Sequence, residues 1–267
     1  MPEGMRIPRL RVPALFTVGI PVLCCIYIAA LQLVPGNLDL LMPLKVLPIA
    51  IMTVLVNKIA SSGSGKNRFA EFMQYGLMAS GLGDMFLELE PRNPEKLFLY
   101  GLASFLAAHW CYILAFAADF YALNLPAALV SLIYAAGFVG LVWDRIPEDL
   151  LKGAVCFYAL TIALMLWSAC RRLGSIRSLR SSQRIAVLGA VLFVISDSII
   201  GIDKFRAPVP SAKLAIMVTY YSAQYCLARS VNGSTPVPVG EMKAKDASKS
   251  NSDADAAPAS TVKDKDQ

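Results

Sequence analysis

The stretch GLGDMFLELE, Gly81 to Glu90, closes an otherwise apolar run that begins near Phe69. The run is long enough for lipid, yet it carries Asp84 and Glu88 one helical turn apart. A second stretch, FVISDSIIGIDKF from Phe193 to Phe205, sets Asp197 and Asp203 in the same kind of surroundings. Carboxylates in such segments imply a polar site built inside a membrane domain.

The composition agrees. Of 267 residues 56% are hydrophobic and only 16% are charged, with a mean hydropathy of +0.55, where a soluble domain carries about a quarter charged residues. A membrane span needs roughly 20 apolar residues, and eight candidates fit, at about 12–34, 38–57, 69–89, 97–118, 123–143, 150–170, 184–203 and 212–229. They are continuous apolar runs rather than alternating strands, which leaves helices as the spanning element. Links holding turn residues (PGN at 35–37, SSGSG at 61–65, PRNP at 91–94) favour antiparallel neighbours. The fold class expected is all-α: a polytopic membrane protein of eight transmembrane helices.

The net charge of +6 is spread over short loops and a tail, with no basic stripe interleaved by aromatics, so no nucleic-acid partner is expected. Lys and Arg instead set orientation: seventeen fall on the N-terminal side of the membrane against seven opposite, or eleven against seven without the tail. Both termini are predicted to be cytoplasmic. The first 34 residues pair Arg6, Arg9 and Arg11 with an apolar run that continues to Val34 without an A-x-A site, which reads as a first membrane helix rather than a signal peptide. Six cysteines show no spacing for disulfides or zinc and read as reduced packing residues. The chain thus divides into a cytoplasmic N-terminus (1–11), a membrane domain (12–230) and a tail (231–267). The tail is Ser, Ala, Lys and Asp rich and expected to be disordered, with the Asn232 sequon unused. AHWCY at 108–112 resembles AQYCL at 223–227, and each follows an aspartate by about one helix and a loop, suggesting two four-helix halves.

Ionisable groups within the spans are Lys45, Asp84, Glu88, His109, Asp197 and Asp203. Glu88 and Asp203 lie near span ends and are expected at the interface. At ~1.5 Å per residue, Lys45, Asp84 and Asp197 fall roughly 8–11 Å inside the non-cytoplasmic boundary, and His109 at about 18 Å. Tyr112 follows His109 by one turn, and Tyr220 and Gln224 enter from the last span. The plain alternative is that Lys45 neutralises one aspartate to hold the bundle and that His109 is a satisfied core histidine. Against it, the second aspartate would lack a full charge partner, and one ionised beside one neutral carboxyl suits acid–base work. Glycines 76, 81 and 83 allow close approach of another helix or a ligand chain.

One histidine excludes a three-His zinc site. No G-x-S-x-G occurs, and Ser196 beside Asp197 makes a poor triad fragment. Metal-free acid–base hydrolysis by paired carboxylates survives, with no cofactor.

GLGDMFLE with Asp84, AAHWCYILAF with His109 and Tyr112, FVISDSI with Asp197, YYSAQY with Tyr220, Tyr221 and Gln224, and Lys45 in MPLKVLPIA together resemble the YhhN family over residues 12–230. Its members are eight-helix membrane proteins whose animal representatives include the lysoplasmalogenases. The resemblance implies hydrolysis of the vinyl ether of a lysophospholipid to a fatty aldehyde and glycerophosphocholine or glycerophosphoethanolamine, in the endoplasmic reticulum membrane. Asp84 and Asp197 would then be the acid and the base or stabiliser. His109 and Tyr112 would hold water or the ether oxygen, and Lys45 would set the local charge or meet the phosphate. Glu88, Ser196, Tyr220, Tyr221 and Gln224 would line the site. The expected partners are the lysophospholipid, membrane lipids and a second copy in a homodimer. Intramembrane Asp and His, with Pro43 and Pro48 flanking Lys45, also suit a proton-coupled transporter. A lipid-binding membrane protein without turnover is the third reading.

Overall fold

A computed structural model describes residues 14–61, 67–118, 123–173 and 181–232, with Ala14 to Phe16 by backbone alone. The expected cytoplasmic N-terminus (1–11) and the tail from residue 233 lie outside the described residues. Val231, placed with the tail by sequence, is buried.

Eight α-helices are described: α1 (Ala14–Leu33), α2 (Leu38–Ser61), α3 (Arg68–Glu88), α4 (Pro94–Ala117), α5 (Leu125–Val142), α6 (Asp149–Arg171), α7 (Ser181–Gly201) and α8 (Ala212–Ser230). Each coincides with an expected span to within a few residues. Four begin on asparagine: the side chains of Asn37, Asn67, Asn93 and Asn124 accept from the backbone N–H of Leu40, Ala70, Lys96 and Ala127. Such caps satisfy donors that a helix start leaves unpaired. Pro94 and Pro126 occupy the first turns of α4 and α5, where no N–H is needed. The α7 helix does not stop where hydropathy falls. It continues as a wide π turn through Ile202–Arg206, in which Asp203 Oδ1 accepts from Val209 N at 2.8 Å. Asp203 is therefore an exposed fastener of the α7–α8 turn, as its position near the span end suggested.

Five helices are long and apolar enough to cross a membrane: α2, α4, α5, α6 and α7, with α5 and α7 counted through their final turns. The apolar part of α1, Thr17–Leu33, is shorter. The α3 helix carries Arg68, Glu71, Asp84 and Glu88, and α8 carries Lys213, Gln224 and Arg229. The helices richest in polar residues are thus two that supply the site. Large apolar side chains on α5, such as Leu129, Val130 and Ile133, point outward and are exposed, the pattern of a face meant for hydrocarbon.

The most extensive packing is between α3 and α4 and between α7 and α8, followed by α2 on α3 and α5 on α6. Glycines make these contacts close. A Cβ on Gly76 would lie 2.2 Å from the Tyr112 ring, and one on Gly83 would lie 2.7 Å from the Phe105 ring. Gly81 differs: its Cβ would reach only ordinary contact with Ile49. Gly76→Ala should therefore lower the thermal midpoint of the detergent-solubilised protein, because overpacking costs about 1–3 kcal/mol. Gly137, with nothing within 4 Å of its Cβ direction, provides the contrast. Gly137→Ala should leave the midpoint unchanged or raise it slightly, since alanine favours a helix by about 0.5–1 kcal/mol.

Candidate active site

Two polar centres lie inside the bundle. The first gathers around Lys45, whose Nζ is 3.3 Å from Glu88 Oε2 and 3.9 Å from Asp84 Oδ1. The residues are 7%, 8% and 2% exposed respectively. The Tyr27 hydroxyl, from α1, donates to Glu88 Oε2 at 2.8 Å, and that of Tyr220, from α8, donates to Asp84 Oδ2 at 2.6 Å. Tyr221 donates to the Lys45 carbonyl at 2.9 Å, accepted from a stretch of α2 that Pro43 and Pro48 flank. Helical spacing explains the grip: Asp84 and Glu88 share one face of α3 and meet the same ammonium.

The second centre is built on Asp197. Its Oδ2 is 3.0 Å from His109 Nε2 and accepts from the Tyr158 hydroxyl at 3.0 Å, and His109 Nε2 is also 3.2 Å from that hydroxyl. His109 is wholly buried, with its ring against Phe193 and Tyr158, and its Nδ1 has no hydrogen-bond partner among the described residues. A cleft of about 660 Å³, partly open, leads to this centre. It is lined by apolar side chains, among them Leu87, Phe98, Val155 and Phe205, and by Tyr134, Tyr158, Asp197 and Ser198. Tyr134 and Ser198 are hydrogen-bonded to each other at 2.5 Å.

The sequence-predicted residues divide between these centres. Lys45, Asp84, Glu88, Tyr220 and Tyr221 join the first, and His109 and Asp197 the second. Glu88 is buried in the network rather than interfacial, because Tyr27 and Lys45 satisfy it from neighbouring helices. Tyr112 and Gln224 pair with each other instead: the Tyr112 hydroxyl donates to Gln224 Oε1 at 2.7 Å and is 3.2 Å from Ser80 Oγ. Ser196 bonds weakly to the Ile216 carbonyl at 3.4 Å and does not line the cleft. Asp84 and Asp197 are not brought together. Between their partners stands Phe193, whose ring packs against both His109 and Tyr220. His109 was expected about a turn or two deeper than Asp197, yet the two touch. The element ends do not account for this: α7 runs on to Arg206, nine residues past Asp197, but α4 also begins earlier, at Pro94, fifteen residues before His109, or roughly 13 and 22 Å at the α-helical rise.

Tyr27, Tyr134, Tyr158 and Ser198 were not singled out from sequence. The available signal was a hydroxyl in mid-span, most visibly Tyr158 in the otherwise apolar CFYAL of α6. The tempting inference that a repeat pairs each aspartate with the next helix also fails. Asp84 on α3 takes its tyrosine from α8, and Asp197 on α7 takes its histidine from α4.

Residues 40–231 match the YhhN family. The chain belongs to that family. It is 34% identical to lysoplasmalogenase TMEM86B of Sus scrofa over 190 residues, 71% of this chain and 74% of that one. It is 32% identical to lysoplasmalogenase TMEM86B of Homo sapiens over 217 residues, 80% and 85% of the two chains. Lysoplasmalogenase TMEM86A of Homo sapiens is 34% identical over 159 residues, covering 58% of this chain and 62% of its own. No solved structure matches the chain. The matched region holds both polar centres except for Tyr27, which precedes it.

Lys45 faces two buried carboxylates, so its removal should be costly. Lys45→Met should lower the thermal midpoint strongly, since breaking a buried ion pair by deleting one partner costs about 3–5 kcal/mol. Neutralising the carboxylates as well, in Lys45→Met with Asp84→Asn and Glu88→Gln, should recover much of the loss in the same melting assay.

Proposed function

We propose that this chain is a lysoplasmalogenase, hydrolysing the vinyl ether of a lysoplasmenylcholine or lysoplasmenylethanolamine to a fatty aldehyde and the glycerophospho head group. The observation that carries the reading is the apolar cleft lined by Asp197 and Tyr158, with the buried His109 bonded behind them. Its walls are almost wholly apolar and suit an alkyl chain, with a few polar groups at one place to fix orientation. The relatives' name and the family agree with it. In this reading all eight helices cross the bilayer, α3 and α8 by turning their polar residues inward. The basic residues keep both termini cytoplasmic, and the endoplasmic reticulum is the membrane concerned.

Hydrolysis needs a proton at the β carbon of the vinyl ether, which leaves an oxocarbenium ion at the carbon bearing oxygen. Water adds to that carbon and loses a proton. The resulting hemiacetal then collapses, the glycerol oxygen leaving with the bonding pair and taking a proton. A hydrogen-bonded His–carboxylate pair serves as donor and then acceptor, as the acid/base residue of a retaining glycosidase does around a similar cation. The Asp197–His109 pair is assigned that work, with Asp197 facing the developing positive charge and Tyr158 fixing its Oδ2. Asp84 acts from behind as a positioning residue, holding Tyr220 against Phe193 and Phe105 and offsetting Lys45.

The test is aldehyde release, followed by mass spectrometry, from membranes bearing the chain. A lysoplasmalogen and its saturated-ether analogue are compared. The vinyl ether alone should yield aldehyde. Asp197→Asn should reduce turnover by about 10²–10⁴-fold, the range for loss of an acid–base group, and Tyr158→Phe by less. No aldehyde from correctly inserted wild-type protein would sink the proposal. Asp84→Asn should cost less than Asp197→Asn. Equal losses in two folded variants would instead support both aspartates acting directly on the substrate.

A further inference from the structure

The ion pair at the mouth of the cleft has no evident structural purpose. Lys204 Nζ lies 2.6 Å from Glu90 Oε1 and 4.5 Å from the centroid of the Phe98 ring. Phe98 lines the cleft, and so does Phe205, which directly follows Lys204 and packs edge-on against Phe98. The side chains of Lys204 and Glu90 are 41% and 28% exposed. Ion pairs that exposed contribute only about 0–1 kcal/mol to stability, so holding the fold is a weak reason for opposite charges at this position.

Two local devices fix the pair. Lys204 sits in the π turn after α7, the kind of irregular turn that recurs at functional sites. Glu90 opens the short 3₁₀ turn Glu90–Arg92, which Arg92 ties to Asp39 at the start of α2. Lys45, the lysine first expected to meet phosphate, is committed to Glu88 and Asp84 and does not line the cleft.

We propose that Lys204 and Glu90 form the head-group subsite for a zwitterionic lysophospholipid, Lys204 taking the phosphate and Glu90 the ammonium. The inference rests on the reading of the cleft as the lysoplasmalogen site. A phosphate and an ammonium joined by two carbons present the same two charges, in reverse, that Lys204 and Glu90 present to each other. The spacing along the cleft fits as well. Lys204 is seven residues from Asp197, roughly 10 Å along a helix axis. Six bonds separate the phosphorus of the substrate from its first vinyl carbon. With the phosphate at Lys204, that carbon extends inward to the level of Asp197, and the alkenyl chain continues along the apolar wall.

The experiment measures binding of a saturated-ether lysophosphatidylethanolamine, which cannot be hydrolysed, to the full chain in nanodiscs, so that it is independent of turnover. The headless 1-alkylglycerol provides the comparison. Lys204→Met should reduce the preference for the phospholipid over the headless ether about tenfold, the loss expected for a charge-assisted contact. Glu90→Gln should weaken the ethanolamine ligand but not its analogue ending in phosphate alone. The double variant E90K/K204E keeps an ion pair in place, so a folded protein is available whatever the single variants do. It should lose the ethanolamine preference although its pair is intact.

An unchanged preference in Lys204→Met, or a double variant that binds like wild type, would overturn the subsite. So would a wild-type protein that binds both ethers equally. Failure of the hydrolase reading has a different signature: the head-group preference is present and Lys204-dependent, but the vinyl ether yields no aldehyde.

Discussion

A charge placed among apolar helices must find its partner inside the bundle, and Lys45 meets that constraint by drawing in Glu88 and Asp84. Everything else near the centre takes its register from this cluster. Sharing one ammonium fixes α2 against α3. The second lone pairs of the carboxylates call for donors, which Tyr27 supplies from α1 and Tyr220 from α8. With Tyr220 fixed, α8 also delivers Gln224 to Tyr112 and sets a ring against Phe193. Phe193 in turn backs His109, so the position of the histidine at Asp197 depends on a lysine it does not touch.

Much of the architecture was legible because apolar run length and turn residues are direct consequences of the bilayer and of backbone geometry. The eight runs became eight helices. The errors came where tertiary contacts override those signals. The end of α7 was read from hydropathy at 203, but a π turn carries the element to Arg206, with Asp203 capping the Val209 N–H. That short extension altered the inferred depth of Asp197.

The site was half legible for a comparable reason. Lys45, Asp84, Glu88, His109 and Asp197 stand out because ionisable groups are rare in apolar spans. Tyr27, Tyr134 and Tyr158 do not, since a tyrosine sits comfortably in such a span and only its neighbours reveal what its hydroxyl does. Nor does a linear pattern disclose which non-adjacent helices meet. The aspartate on α3 and the histidine on α4 belong to neighbouring, closely packed helices, yet they serve different centres. The likeness of AHWCY to AQYCL gave no hint that partners are exchanged between the two stretches of chain.

The separation of the two centres matters for the chemistry proposed. An oxocarbenium ion forming in the cleft is positive, and in a medium of low polarity a nearby ammonium would oppose it over several ångströms. Lys45 is kept away from the cleft wall and is already faced by two carboxylates, with Phe193 and Tyr220 between that network and His109. The wall is left with Asp197, a group whose charge favours the cation. Lys204, the other lysine on this path, lies at the mouth about seven residues away, where positive charge suits a phosphate and is farther from the reacting carbon. A bundle that placed Lys45 beside Asp197 would leave the buried Glu88 and Asp84 without their cation and would raise the barrier to protonation. The observed partition satisfies the buried charges and leaves a carboxylate on the cleft wall.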